Sequence, residues 1–193
     1  MNQYIPIILL LLFSATASAG EWHVDKNAQN EVRFTSEVVV LTFDGVTDQI
    51  DGYLYWEGEK MFEKNSQLQF DVDLNTVETG IGKRDRDMRD VLATDKWPVT
   101  TFKGTISEYS KIDSSVTAYR VTSKGTIFIH GVERELEVPA IVAREGDQMH
   151  VTARFMVLLK DFNIEAPSLA AFVKVSQEIH LKVDFYLSEF TEE

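Results

Sequence analysis

The chain has 193 residues, with 31 Asp and Glu against 19 Lys and Arg and a net charge of −12. A surface this acidic excludes nucleic acid as a partner, because phosphates demand a basic face, and it disfavours adhesion to anionic lipid. Cysteine is absent, so disulfides, thiol chemistry, cysteine-ligated metals and lipoprotein processing are excluded, and the fold must be held by its core.

The first stretch reads MNQYIPIILLLLFSATASAG. Ile5 to Phe13 is an apolar run shorter than the roughly twenty residues a membrane span needs. Ala17-Ser18-Ala19 fits a small-residue cleavage site before Gly20. Residues 1–19 are therefore expected to be a signal peptide, giving a periplasmic or secreted protein without an integral span. Residues 20–193 are expected to be one domain with a sizeable core.

Strand-like runs then follow one another. Glu31 to Val40 alternates at Val32 and Phe34 before becoming continuously apolar, and Thr42 to Asp51 contains Asp44-Gly45, a turn signal. After Ile50 to Trp56, Ser66 to Leu74 alternates cleanly, with Leu68, Phe70, Val72 and Leu74 inward and Gln67, Gln69, Asp71 and Asp73 outward. From Thr79 the period changes. Ile81, Met88, Val91 and Leu92 share one helical face, charged residues fill the rest, and Pro98 closes the segment. Asp85 and Arg89 stand four apart with the acid first, a spacing that supports a helix by about 0.2–0.5 kcal/mol. The spacing predicts one short helix near residues 81–94, either a solvated connector or a lid with its apolar face over a barrel mouth. Strands resume at Val99 to Tyr109, Ala118 to Ile129, Glu133 to Ala143, Met149 to Leu159 and Phe172 to Leu187. Hairpin turns fall at Ile129-His130-Gly131-Val132 and at Arg144 to Gln148. In the last strand Val175, Ile179, Leu181, Val183, Phe185 and Leu187 share a face with Gln177. About eight antiparallel strands predict an all-β, up-and-down barrel.

Motifs that would carry chemistry fail on inspection. Asp71, Asp73 and Asn75 begin like a calcium loop, but Thr76 stands where Gly is needed and Gly82 where Glu is needed. Gly80-Ile81-Gly82-Lys83 matches neither nucleotide-binding fingerprint. His23, His130, His150 and His180 are scattered without metal-ligand spacing, and no G-x-S-x-G elbow exists. No cofactor, no metal and no catalytic group are expected. Lys83, Arg84, Arg86 and Arg89 form a basic cluster in an acidic chain. They either pair with Asp85, Asp87 and Asp90 or offer a guanidinium to an anionic or carbonyl head group.

Several short pieces, taken in order, resemble the YceI family of secreted, lipocalin-like β-barrel proteins. They are Trp22-His23-Val24-Asp25; Phe43-Asp44-Gly45 with Ile50-Asp51-Gly52; Arg84-Asp85 with Met88-Arg89; Trp97-Pro98 through Thr101-Phe102; Gly125 to Gly131 with Val132 and Pro139; and Leu159 to Ile164. The chain departs from the family at Asp87, where its helix carries His, and at Asn163, where Gly is usual. Asn tolerates the left-handed conformation. The resemblance implies an apolar tunnel holding a long isoprenoid, such as a polyprenyl or quinone tail, or a fatty chain. It also implies export and often a homodimer.

Eight strands make a barrel that either fills itself with side chains or holds one small ligand. The leading expectation is a non-enzymatic lipid-binding protein. Alternation nominates Phe34, Phe70, Val72, Phe102, Phe155, Val183 and Phe185 for the lining, with Arg84, Asp85 and Arg89 at the mouth. The competing readings are a filled barrel serving as an interaction module, and an enzyme acting on a lipid-like substrate.

Overall fold

A strand whose alternate residues are apolar buries one face and leaves the other wet, and a sheet of such strands can dispose of its edges by closing on itself. That is what this chain does. The computed structural model describes residues 19–38, 41–113, 117–166, 168–170 and 173–191, so the proposed signal peptide lies almost wholly outside the described residues. The strands are β1 (Ala19–Val24), β2 (Glu31–Val38), β3 (Leu41–Thr47), β4 (Ile50–Glu57), β5 (Lys64–Asp73), β6 (Val99–Lys111), β7 (Ala118–Ile129), β8 (Val132–Glu145), β9 (Gln148–Leu158), β10 (Ser168–Ala170) and β11 (Val173–Glu189). One helix, α1 (Gly82–Leu92), lies between β5 and β6.

The order β1-β4-β5-β6-β7-β8-β9-β11, with β11 pairing back to β1, closes an eight-stranded antiparallel barrel. The seam between β1 and β11 is short: Trp22 faces Glu189, His23 faces Ser188 and Val24 faces Leu187. Beyond it β2 continues the line of β1 along β11, with Val32 opposite Val183 and Phe34 opposite Leu181. In the same way β3 flanks β2 while β4 flanks β1. The break between β1 and β2 is stapled by Asp25. Its carboxylate accepts from the Asn27 N–H (2.9 Å), from Gln148 Nε2 (2.6 Å) and from the Ser188 hydroxyl (3.0 Å). The Asn27 bond leads the causes that hold this carboxyl below its ordinary range.

Three local expectations are corrected. Asp44-Gly45 is not a turn: both residues lie inside β3, and the chain turns at Asp48-Gln49. Gly45 serves packing instead, since a Cβ there would stand 2.1 Å from Cε1 of Phe34. Leu74 leaves β5 for a 3-10 turn, Leu74–Thr76, capped by the Asp73 side chain through the Asn75 N–H. Gln177 faces solvent, because the register against β2 shifts between Val175 and Ile179. Its side-chain oxygen accepts from the Lys160 N–H at 3.0 Å, holding the turn that follows β9. Asn163 does take the left-handed conformation, φ 57°, where that turn ends. The C-terminal ends of Glu31 to Val40 and the start of Phe172 to Leu187 fall partly outside the described residues.

One end of the barrel is sealed. Trp22, Trp56, Phe62, Met149 and Leu187 are all buried there, and Phe62 meets the rings of Trp56, Tyr109 and Tyr119 edge-on at 5.5–5.8 Å. The other end is spanned by α1.

Candidate ligand-binding cavity

Above the aromatic plug the inward side chains do not meet. They leave a cavity of about 650 Å³, inside the ~300–1,000 Å³ typical of small-ligand sites. Strand alternation builds its wall. Phe34 comes from β2, Phe70 and Val72 from β5, Phe102 from β6, Phe155 from β9, and Val183 and Phe185 from β11. The structure thus brings together on one apolar surface all seven residues nominated from alternation. The rings of Phe70 and Phe185 pack edge-on at 4.8 Å. The deepest lining includes Leu54, Val121, Val142 and Val151, directly over the plug.

The mouth is organised by α1. Gly80 takes φ +79° and Ile81 caps the helix in an extended conformation, without a side-chain bond. Met88, Val91 and Leu92, at helical spacing, turn towards the cavity. Ile81 borders it as well but stays 54% exposed. Ala93, left-handed, ends the helix by donating its N–H to the carbonyls of Arg89 and Asp90. Trp97 then docks on the β7–β8 turn. A Cβ on Gly131 would come within 2.5 Å of Trp97, and the His130 ring lies 4.8 Å from it.

The charged cluster divides into three jobs. Asp85 is the buried residue of the helix, 8% exposed, and accepts from both the N–H (2.9 Å) and the hydroxyl of Thr79. Those two bonds hold its carboxyl below the usual range. Arg84 grips the same threonine, donating from Nε to the Thr79 hydroxyl (2.9 Å) and from Nη2 to the Thr79 carbonyl (2.6 Å). Its guanidinium also lies 4.7 Å over the ring of Phe43. Arg89 donates to the Asn75 carbonyl at 2.8 Å. So Arg84 reaches the cavity wall, whereas Asp85 and Arg89 stand behind it and fasten α1 to the chain that precedes it. The expected Asp85–Arg89 pairing gives way to Lys83–Asp87, Nζ to Oδ2 at 2.6 Å. Lys83 and Asp87 both line the cavity with their side chains 76% and 58% exposed, so the cavity opens to solvent there.

Alternation alone could have found the other lining residues that lie on strands. Phe43 was obscured by reading Asp44-Gly45 as a turn, and Ser36 and Ser123 occupy inward positions of β2 and β7 that a search for apolar residues passes over. Among the described residues, the wall's charged side chains, Lys83, Arg84 and Asp87, sit together at the mouth. Among the described residues no three His, Asp or Glu side chains converge to hold a metal, and no helix is long and apolar enough to cross a membrane. His150 lies on the barrel's outer face, bonded to Asp184 at 2.6 Å and stacked on Tyr186 at 4.6 Å.

Fold and cavity together define a closed antiparallel β-barrel with an apolar interior cavity. The YceI-like domain model matches residues 22–187, and the chain belongs to that family. Similar solved structures include BcnA of Burkholderia cenocepacia, 17% identical, with a TM-score of 0.67 over 84% of this chain and 98% of that one. A polyisoprenoid binding domain from Saccharophagus degradans, implicated in plant cell wall breakdown, is also 17% identical, with a TM-score of 0.68 over 90% of this chain and 100% of that one. The YceI protein of Campylobacter jejuni is 19% identical, with a TM-score of 0.57 over 77% and 85%. At these identities the likeness is one of fold. No curated protein sequence matches the chain.

Proposed function

We propose that this protein is an exported, non-enzymatic carrier that holds one isoprenoid-like or fatty chain in its barrel. The observation that carries the reading is the cavity: about 650 Å³ walled by apolar side chains, with its charged residues gathered where it meets solvent. At about 30 Å³ for each water-sized group, it takes on the order of twenty carbons. Each CH₂ removed from water contributes about 0.8 kcal/mol before ordering costs. Lys83 and Arg84 stand where a polar head would emerge. The polyisoprenoid binding of the Saccharophagus domain supports the isoprenoid class. A filled barrel acting as an interaction module fits a cavity of this size poorly.

The test is mass spectrometry of the organic extract from protein purified from its own host without detergent. One prenyl or acyl molecule per barrel is expected. An empty extract, together with failure to take up quinones or polyprenyl phosphates, would sink the carrier reading. Intact mass of the same material tests export, with a chain beginning at Gly20 expected and an uncleaved chain counting against it.

A further inference from the structure

The barrel wall between β8 and β9 is laddered over only part of its height. The two strands pair from Glu145 opposite Gln148 to Ala140 opposite Ala153, and there the ladder stops, although β8 reaches back to Val132 and β9 on to Leu158. Over those stretches each strand stays bonded to its other neighbour, as far as Ile129 opposite Val132 and Glu178 opposite Leu158. A slit is left between them. Arg144 donates its N–H to the Thr117 carbonyl on the β7 side, so by alternation the odd-numbered residues of β8 aim their backbone groups at β9. Pro139, the first residue beyond the ladder, is one of these and has no N–H to give. Glu133, Glu135 and Glu137 add exposed charge along the same edge, which keeps a foreign strand from pairing with it.

Side chains fill the slit instead. The turn Leu159–Phe162 follows β9, and Phe162 and Ile164, each 3% exposed, pack in one cluster with Leu136 of β8 and Val157 of β9 while lining the cavity. Among the described residues, two hydrogen bonds tie this strap to the barrel. His130 Nδ1 donates to the Phe162 carbonyl at 3.0 Å, and the Lys160 N–H donates to Gln177 at 3.0 Å. The chain leading into α1 is fastened by more: Val46 and Glu78 exchange two backbone bonds at 2.9 Å, and Arg84, Asp85 and Arg89 grip Thr79 and Asn75.

We propose that the slit is the route by which the cargo chain enters and leaves the barrel, sideways, with residues 159–164 as its door. The proposal rests on the carrier reading and adds the path. Opening the door breaks no ladder bond between β8 and β9, which makes it a local event that leaves the rest of the ring intact. The lips are apolar: Val138, Phe155 and Val157 line the cavity, and Met156, 40% exposed, carries apolar surface to the outside of the β9 lip. A chain sliding lengthwise through the mouth would have to pass the Lys83–Asp87 ion pair and strip water from it.

The experiment staples the slit. The chain has no cysteine, so the pair Glu137→Cys and Met156→Cys, one on each lip, can be joined after folding by a bis-maleimide with a disulfide spacer. The control pair, Ile141→Cys and Thr152→Cys, sits where the ladder is already closed. Each protein is loaded with deuterated geranylgeraniol, and transfer to phosphatidylcholine vesicles is followed by mass spectrometry. Transfer should be lost in the stapled slit, return when reductant cleaves the spacer, and be untouched by the control staple. Gln177→Ala, which frees the strap without altering the cavity wall, should speed transfer about fivefold, the worth of one hydrogen bond, with the amount bound per barrel unchanged. Transfer that continues through the stapled slit, or that the control staple slows equally, overturns the route and leaves the carrier reading standing. Failure of the unlinked and wild-type proteins to take up the alcohol overturns both.

Discussion

Phe34 and Gly45 show how a single side chain sets the width of the tunnel. The phenyl ring lies flat over a position that has no Cβ, so it hugs the wall. Gly45→Ala should push the ring inward, costing about 1–3 kcal/mol in overpacking and lowering lipid uptake; chemical denaturation and extract stoichiometry check the two effects. Asp85 makes a prediction about acid. Thr79 bonds only its ionised form well, so the folded pKa is depressed from the ordinary 3.8. The stabilisation is therefore fully present above that ordinary value and is lost as pH falls through the lower folded one. Hydrogen exchange of the α1 amides should be unchanged from neutral pH to about pH 4.5, once intrinsic rates are corrected, and should quicken only below. In Asp85→Asn the helix should exchange faster already at neutral pH. Equal protection in variant and wild type would mean that the Thr79 clasp does not hold the helix.

At the scale of elements, α1 is tied down at both ends by different means. Its start is clasped through Thr79 by Arg84 and Asp85, and its end is pinned by Trp97 against Gly131 and His130. Trp97→Ala should cost roughly 2–3 kcal/mol, less than the ~3–5 of a fully buried Trp, and should speed lipid release, measured by transfer to acceptor vesicles. Unaltered release would show that cargo leaves by another route. Helical spacing foretold this element to within two residues because its apolar side faces a cavity while the rest faces water. The same logic failed for β1, whose Trp22 and Val24 are too few to establish a period. It failed at Gln177 as well, since a bulge resets parity and nothing local announces it. Asp44-Gly45 misled because a glycine that admits a ring looks, in sequence, like a glycine that admits a turn. The charged site residues were least legible: sequence groups Arg84, Asp85 and Arg89, and only geometry separates the one on the wall from the two behind it.

For the whole molecule, cavity and stability should be separable. Ala153 is buried on β9 and lines the cavity. Ala153→Leu should leave the melting temperature unchanged or higher while shortening the preferred cargo by about three carbons, at roughly one water-sized volume each. An unchanged length distribution in the extract would place the ligand elsewhere. The seam of three residue pairs between β1 and β11 has a further consequence for how the protein comes into being. Trp22 meets its partner only at Glu189, so nearly the entire polypeptide must emerge before the ring can shut. Such distant pairing makes folding slow, on the order of milliseconds to seconds, and a nascent chain that emerges at finite speed waits with its oily strands uncovered. Until the last strand arrives there is no inside, and the protein is for that interval an open sheet with a bare apolar face rather than a container.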